Sequence, residues 1–402
     1  MEKNRYSIWG GYGLERETLR VDQNGRLAQT PHPFTDSHIQ RDFCEYQIEL
    51  ITPVCQNMDS MMTKLERLDR RMRTVLEKQS QKVWLYSNPP SIENESEICV
   101  AQYHDKEESK YAYRKQLEER YGKQKMLYSG IHFNLSFSKS FLEAQAQLHQ
   151  NQTDSISDLQ NQLYFRLFKQ ISRYSWLLVL LTSASPIYEK SLEQYGVHGT
   201  CFDGFASMRS GKKGYWNQFI PVLDYSDLSS YVESVQQYVQ AGTLFSASEL
   251  YLPVRLKPKG ENSLSALMQN GIDHLELRMF DLNPLEPLGI AKEDLIFSCF
   301  LLEYLLTLED FDFTPSMQVS AIRNHQAAAK YCLDTITIDG IPAKLGAEQI
   351  LRKMNQYFAE NPKAQKTIAY ESEKLHGKRP CQKIKQQLDE TYTDSILRLS
   401  RR

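Results

Sequence analysis

Four segments far apart in the chain share one pattern, and it constrains the fold more than any other feature. Strand side chains alternate between two faces of a sheet. In Gly13–Glu17, Glu15 and Glu17 fall on one face. In Phe43–Val54, a run stopped at Pro53, the residues Phe43, Glu45, Gln47 and Glu49 share a face. In Gly130–Ser136, His132, Asn134 and Ser136 share one, opposed by Ile131, Phe133 and Leu135. In Leu275–Arg278, Glu276 and Arg278 share another. One such strand reads equally well as the solvated face of an ordinary antiparallel sheet. The four together lack Lys and Thr and hold Glu, His, Asn, Gln and Arg, which are ligand types. Glu15, Glu17, Glu49 and Glu276 on one surface would repel one another strongly, so the pattern predicts bound cations. Carboxylate oxygens with one imidazole suit magnesium or manganese. Zinc fits less well, because there is no HExxH segment and no cysteine cluster.

Phosphate-binding loops are not evident. Gly10-Gly11-Tyr12-Gly13 lacks the strand-to-helix context of a dinucleotide fingerprint, and no Walker A segment occurs. If the chain handles ATP, metal ions and arginines must hold the phosphates. Arg114, Arg209, Arg255 and Arg278 are the candidates, each beside aromatic or apolar residues. A net charge of -2, from 48 basic and 50 acidic residues, gives no sign of nucleic-acid binding. At 41% hydrophobic and 24% charged, the chain can bury a large core. The apolar run Trp176–Leu181 reads as core and is too short to span a bilayer. Met1–Trp9 lacks the apolar core of a signal peptide. Seven scattered cysteines without metal spacing fit a reduced compartment, so a cytoplasmic protein is expected.

Periodicity places helices at 60–79, 113–121, 158–182 and 227–240, and a helical tail from about 290. Strands are expected at 15–21, 43–54, 125–137, 249–257 and 274–280. Asn24-Gly25 predicts a hairpin turn returning through 26–29. The stretch 188–217, rich in Gly, Ser and Lys, reads as a long functional loop, with His198 in it solvated or part of a lid. The whole of 1–402 is read as a single catalytic domain: a sheet core over about 10–290 with the helical part, about 290–402, packed on it.

The segments themselves resemble a known family. Gly13-Leu14-Glu15-Arg16-Glu17-Thr18-Leu19-Arg20-Val21 with Asn24-Gly25-Arg26-Leu27-Ala28 is similar to the opening motif of bacterial glutamate–cysteine ligases. Asp42-Phe43-Cys44-Glu45 through Glu49-Leu50-Ile51-Thr52-Pro53-Val54, Tyr113-Arg114, and Ser129-Gly130-Ile131-His132-Phe133-Asn134 match further motifs. Glu249-Leu250-Tyr251-Leu252-Pro253-Val254-Arg255 and Glu276-Leu277-Arg278 complete the series, in order over about 10–290.

The resemblance implies an α+β fold like that of glutamine synthetase and the guanido kinases: a curved, mainly antiparallel sheet forming a funnel with helices outside. It implies two or three Mg²⁺ (or Mn²⁺) ions, with Glu15, Asp42 and Glu49 in one ligand group and Glu17, His132 and Glu276 in another. It sets Arg114 and Arg278 near a transferred phosphoryl. Phe43, Tyr113, Leu117, Arg209, Tyr215 and Tyr251 match the acceptor pocket, where Arg209 would pair with the cysteine carboxylate and Met126 occupies a further position. Glu45, Asn134 and Arg255 are further candidates. The implied activity is ATP-dependent joining of the glutamate γ-carboxylate to the cysteine amine, with glutamate, cysteine and ATP as small-molecule substrates and neither membrane nor nucleic acid as partner. Met126 stands where long enterobacterial-type members carry Gln, which leaves open a same-fold ligase with another acceptor amine. A non-catalytic ATP- or metal-binding relative is the other alternative. The part after Pro284 is shorter than in those members and no ATP-grasp-like extension is seen, so the bifunctional form is not expected.

Overall fold

The computed structural model describes residues 7–102, 108–148, 155–388 and 391–401; part of the N-terminal segment read above, residues 1–6, lies outside them. Among the described residues a seven-stranded sheet forms the centre. Its first strands are β1 (Trp9–Val21), β2 (Ile39–Arg41), β3 (Gln47–Ile51), β4 (Lys82–Trp84) and β5 (Gly130–Phe137). A small separate pair follows, β6 (Tyr188–Glu189) with β7 (Thr200–Cys201). The central sheet is completed by β8 (Val254–Pro258) and β9 (Ile272–Asp281). Its order is β2-β3-β1-β5-β9-β8, with β4 also on β1, and every pairing is antiparallel. A last short pair, β10 (Thr337–Ile338) and β11 (Ile341–Pro342), lies apart.

Two helices explain why one face of the sheet is covered. α1 (Met58–Lys78) starts where the Asn57 side chain accepts from Ser60 N, and buries Met61, Leu65, Met72 and Leu76. Leu14 and Arg16, on the face of β1 opposite Glu15, turn toward it; fully buried Arg16 pairs with Asp69 of α1 at 2.5 Å. α2 (Glu108–Tyr121) and α3 (Lys139–Leu148) precede α4 (Ile156–Thr182), which packs on β8 and β9. In α4, Trp176 is 4% exposed and Leu177, Leu178, Leu180 and Leu181 are fully buried, as the apolar run predicts. The remaining helices are α5 (Leu228–Gln240), α6 (Leu264–Asn270), α7 (Lys292–Thr307), α8 (Pro315–Ala328), α9 (Ala343–Tyr357), α10 (Pro362–His376), α11 (Pro380–Gln386) and α12 (Tyr392–Leu399). One apolar cluster runs from Trp9 through Leu181 to Leu375, joining sheet, α4 and the C-terminal helices. No helix among the described residues is long and apolar enough to cross a membrane.

Three expected strands are shorter than the sequence indicates. Residues 43–46 are not strand: Asp42 N bonds to Gln47 O and Gln47 N to Cys44 O, closing a turn between β2 and β3. Lys125–Leu127 is a 3₁₀ turn before β5, and Ala247–Glu249 another before β8. The turn at Asn24-Gly25 forms, with Gly25 at φ 80°. Its return makes only a bridge, Val21 to Leu27, because β3 already occupies most of that edge of β1.

Candidate active site

Register brings the polar stripes together. Glu15 stands opposite His132 across β1 and β5, and Glu17 opposite Glu49 across β1 and β3. Glu276 of β9 faces Asn134 on one side and Arg255 on the other. Their side chains meet in a cavity of about 180 Å³ on the sheet face away from α1. His132, 4% exposed, is its hub. Its Nδ1 lies 3.1 Å from Glu15 Oε2 and 3.7 Å from Glu276 Oε1, and its Nε2 lies 3.5 Å from Glu17 Oε1.

Two groups of potential ligands result: Glu15 with His132 and Glu276, and Glu17 with Glu49 and His132. These proximities follow the register, which pairs Glu15 with His132 and Glu17 with Glu49, and they cut across the grouping implied by the resemblance. Asp42 lines the cavity beside them but belongs to neither group.

The cluster carries strain that a cation would relieve. Burial, then the charges of Glu15, Asp42, Glu17 and Glu276, push the Glu49 carboxyl well above its ordinary range. Burial raises Glu17 too, against the pull of His132. Burial would also raise Glu276, but Arg278, then Lys257 and His132, overcome it and hold that carboxyl well below the ordinary range. Glu15 is lowered: burial opposes, and the hydrogen bond from His132 prevails. His132 Nε2 is buried without a hydrogen-bond partner. An orphaned imidazole nitrogen among carboxylates is the donor set that Mg²⁺ or Mn²⁺ would accept, so the residues present fit such an ion.

The cavity walls come from elsewhere in the chain. Helix α2 contributes Tyr113, Arg114 and Leu117, and Arg114 Nε donates to Asp42 O at 2.6 Å. Phe43 and Met126 add apolar surface, and Tyr215 and Tyr251, with ring centroids 4.4 Å apart, close one side. Arg278 lines the same space and pairs with Glu276 Oε2 at 3.1 Å. Arg209 sits behind Tyr215 and Tyr251, in an adjoining hollow that also touches Arg278, and its Nη1 donates to Arg278 O at 2.7 Å.

Besides Arg209, three site candidates do not line the cavity. The Glu45 carboxylate accepts from His32 N and Gln102 N and pairs with Arg41, because the turn at 43–46 breaks the alternation that would have aimed it inward. Arg255 curls back onto Leu250 O and Ser248 O of its own segment. Asn134 supports from behind, donating to Glu15 Oε1 at 3.1 Å. His198 is exposed and clasped by Glu93 and Glu189, away from the cavity. Sequence reasoning missed two lining residues, Ser248 and Lys257. Lys257 shares a face of β8 with Arg255, a signal that period-two reading could have caught.

Comparison with known proteins agrees with this picture. A family model described as glutamate-cysteine ligase matches residues 3–328. The glutathione biosynthesis bifunctional protein GshAB of Listeria innocua is 35% identical over 81% of this chain and 44% of its own length. That of Clostridium perfringens is 30% identical over 98% of this chain and 54% of its own. The chain thus spans about half the length of these curated relatives. A crystal structure of a bifunctional glutathione synthetase from Pasteurella multocida superposes with TM-score 0.85 at 26% identity, over 98% of this chain and 52% of that one. The glutamate–cysteine ligase of Francisella tularensis, solved in complex with AMP, superposes with TM-score 0.85 at 24% identity, over 98% of this chain and 88% of that one. At that identity the likeness is one of fold.

Proposed function

The chain belongs to the glutamate–cysteine ligase family, and from that premise we propose that it joins the γ-carboxylate of glutamate to the amine of cysteine at the expense of ATP. One observation carries the proposal: two carboxylate groups share His132 in a cavity that Arg114 and Arg278 also line. A carboxylate must be activated before an amine can displace one of its oxygens. The glutamate γ-carboxylate attacks the γ-phosphorus of ATP, giving γ-glutamyl phosphate and ADP. The cysteine amine then attacks the acyl carbon, phosphate leaves, and the amine loses a proton.

Transfer of this kind needs positioning and charge neutralisation above all. Two or three Mg²⁺ or Mn²⁺ ions, held by Glu15, Glu17, Glu49, His132 and Glu276 with Asp42 beside them, would supply neutralisation of the phosphates. Arg278 is kept cationic by Glu276, against the opposing effect of burial, and it and Arg114 spread charge on the moving phosphoryl. Phe43, Leu117 and Met126 give the acceptor thiol an apolar wall, and Tyr113, Tyr215 and Tyr251 exclude water around it. Arg209 receives the acceptor carboxylate from behind those rings.

The deciding measurement is phosphate release with glutamate, cysteine and ATP, omitting each in turn. Full release requires all three. An amine screen tests the pocket that Met126 walls: if several amines outrank cysteine, the protein is a same-fold ligase for another acceptor. Binding of ATP without turnover under any combination would make it a non-catalytic relative.

A further inference from the structure

Lys257 and Arg255 lie two residues apart on β8, so they share a face. They behave differently. Arg255 is spent on the carbonyls of its own segment, whereas Lys257 reaches the cavity. Lys257 Nζ lies 3.5 Å from Glu276 Oε1, and its side chain is 16% exposed. The other oxygen, Oε2, is held by Arg278 at 3.1 Å. Oε1 is therefore the oxygen that faces the Glu15–His132 group, and Lys257 covers it. A separation of 3.5 Å is longer than a good hydrogen bond, so the contact is ionic and exchangeable. The lysine stem is flexible and its ammonium is a point charge that can turn to another anion.

A divalent cation held by Glu15, His132 and Glu276 would claim Oε1 and repel the ammonium. Lys257 would then stand beside the cation with no carboxylate committed to it. Resting on the ligase reading, we propose that Lys257 exchanges partners: it neutralises Glu276 in the unliganded protein and contacts a phosphate oxygen of the nucleotide once Glu276 is committed to a metal ion. The lysine thereby offsets part of the carboxylate charge before a metal ion binds, and it is released toward the phosphates when the cation claims Oε1.

The test uses the full chain with Lys257→Met and Lys257→Arg, and two readouts besides turnover. Calorimetry measures binding of a non-hydrolysable ATP analogue with Mg²⁺; electron paramagnetic resonance measures Mn²⁺ binding without nucleotide. Lys257→Met weakens the analogue by about tenfold or more, the worth of one charged hydrogen bond. It leaves Mn²⁺ affinity unchanged or tighter, because the competitor for Glu276 is gone. Lys257→Arg keeps the analogue within about threefold of wild type, since the cation persists. Should the Met variant fail to fold, Lys257→Gln replaces it. Unchanged analogue affinity in the neutral variant overturns the assignment. So does a parallel loss of Mn²⁺ and analogue, which would make Lys257 only a prop for Glu276. Wild-type protein that binds no analogue overturns the ligase reading itself, and the lysine's role with it.

Discussion

Gly130 opens β5 where Arg209 crosses it. A Cβ at that position would lie 2.5 Å from Arg209 Cζ, too close for either to stay. The guanidinium is buried and bonded to Arg278 O, so it can shift only by leaving that bond. Gly130→Ala should therefore fold and yet misplace Arg209. With Arg209 as the proposed partner of the acceptor carboxylate, the variant raises the cysteine KM by on the order of tenfold, the worth of one charged contact, and the glutamate KM far less. Arg209→Ala acts in the same direction and more strongly. Initial rates with each substrate varied in turn decide it, and equal rises in both constants would sink the acceptor role. Glu17 offers a second test at this scale. Its Oε2 is fixed by Gly130 N at 2.9 Å while Oε1 faces His132. Glu17→Gln keeps the shape and removes the charge, so turnover should fall by at least about a hundredfold. Phosphate release within a few-fold of wild type would take Glu17 out of the mechanism.

The wall formed by α2 depends on one fully buried carboxylate. Glu249 takes Arg120 Nη1 at 2.6 Å and Tyr121 Oη at 2.7 Å from the end of α2, and also accepts from Phe245 N. Asn217 joins the network, donating to Tyr121 Oη and Glu249 O and accepting from Tyr251 N. Thus the helix bearing Tyr113 and Arg114 and the segment bearing Tyr215 and Tyr251 are locked together. Glu249→Gln should lower stability by about 1–3 kcal/mol, as expected for a buried charged hydrogen bond lost, and raise the acceptor KM while metal affinity holds. Denaturant melts with Mn²⁺ titration check it; metal affinity falling with the KM would contradict a role confined to this wall. Little of the network was legible in the sequence. Glu15, Glu17, His132 and Glu276 were, because they sit within long strands where alternation decides the face. Residues 43–46 were not, because the Asp42–Gln47 turn carries no Gly or Pro to announce it and follows from pairing of β2 with β3. The role of Lys257 is not legible from its own strand beyond the face it shares with Arg255, because lysine on a strand resembles a solvated residue until the neighbouring strand supplies Glu276.

At the scale of the molecule, the C-terminal helices are tied to one another and to the segment after β4 by buried polar contacts, and to the sheet by the shared core. Lys374 of α10 reaches Asp294 of α7 at 2.5 Å and Glu371 at 2.9 Å, and Tyr392 of α12 donates to Pro89 O at 2.9 Å. The helices themselves were legible from period and apolar spacing, but their placement was not, since nothing local specifies a partner 80 or 303 residues away. Where α7 and α10 meet the start of β1, they leave a cavity of about 520 Å³ lined by Trp9, Tyr12, Phe300 and Glu303. Burial there pushes the Glu303 carboxyl up to about 7 from an ordinary 4.5. The folded chain holds this proton more tightly than the unfolded one, so the stabilising contribution is complete below about pH 4.5 and is lost as pH rises through 7. Above that, the fold carries a half-buried anion facing aromatic rings. Glu303→Gln removes the titration at nearly constant volume. The variant should match wild type at and below about pH 4.5 and exceed it by about 1–3.5 kcal/mol at pH 8, the upper figure being the full shift from 4.5 to about 7 at about 1.4 kcal/mol per unit. Urea unfolding of both proteins at the two pH values measures the difference directly. A gap that is the same at both would mean that Glu303 is solvated as an ordinary carboxylate and that the cavity exerts no desolvation on it.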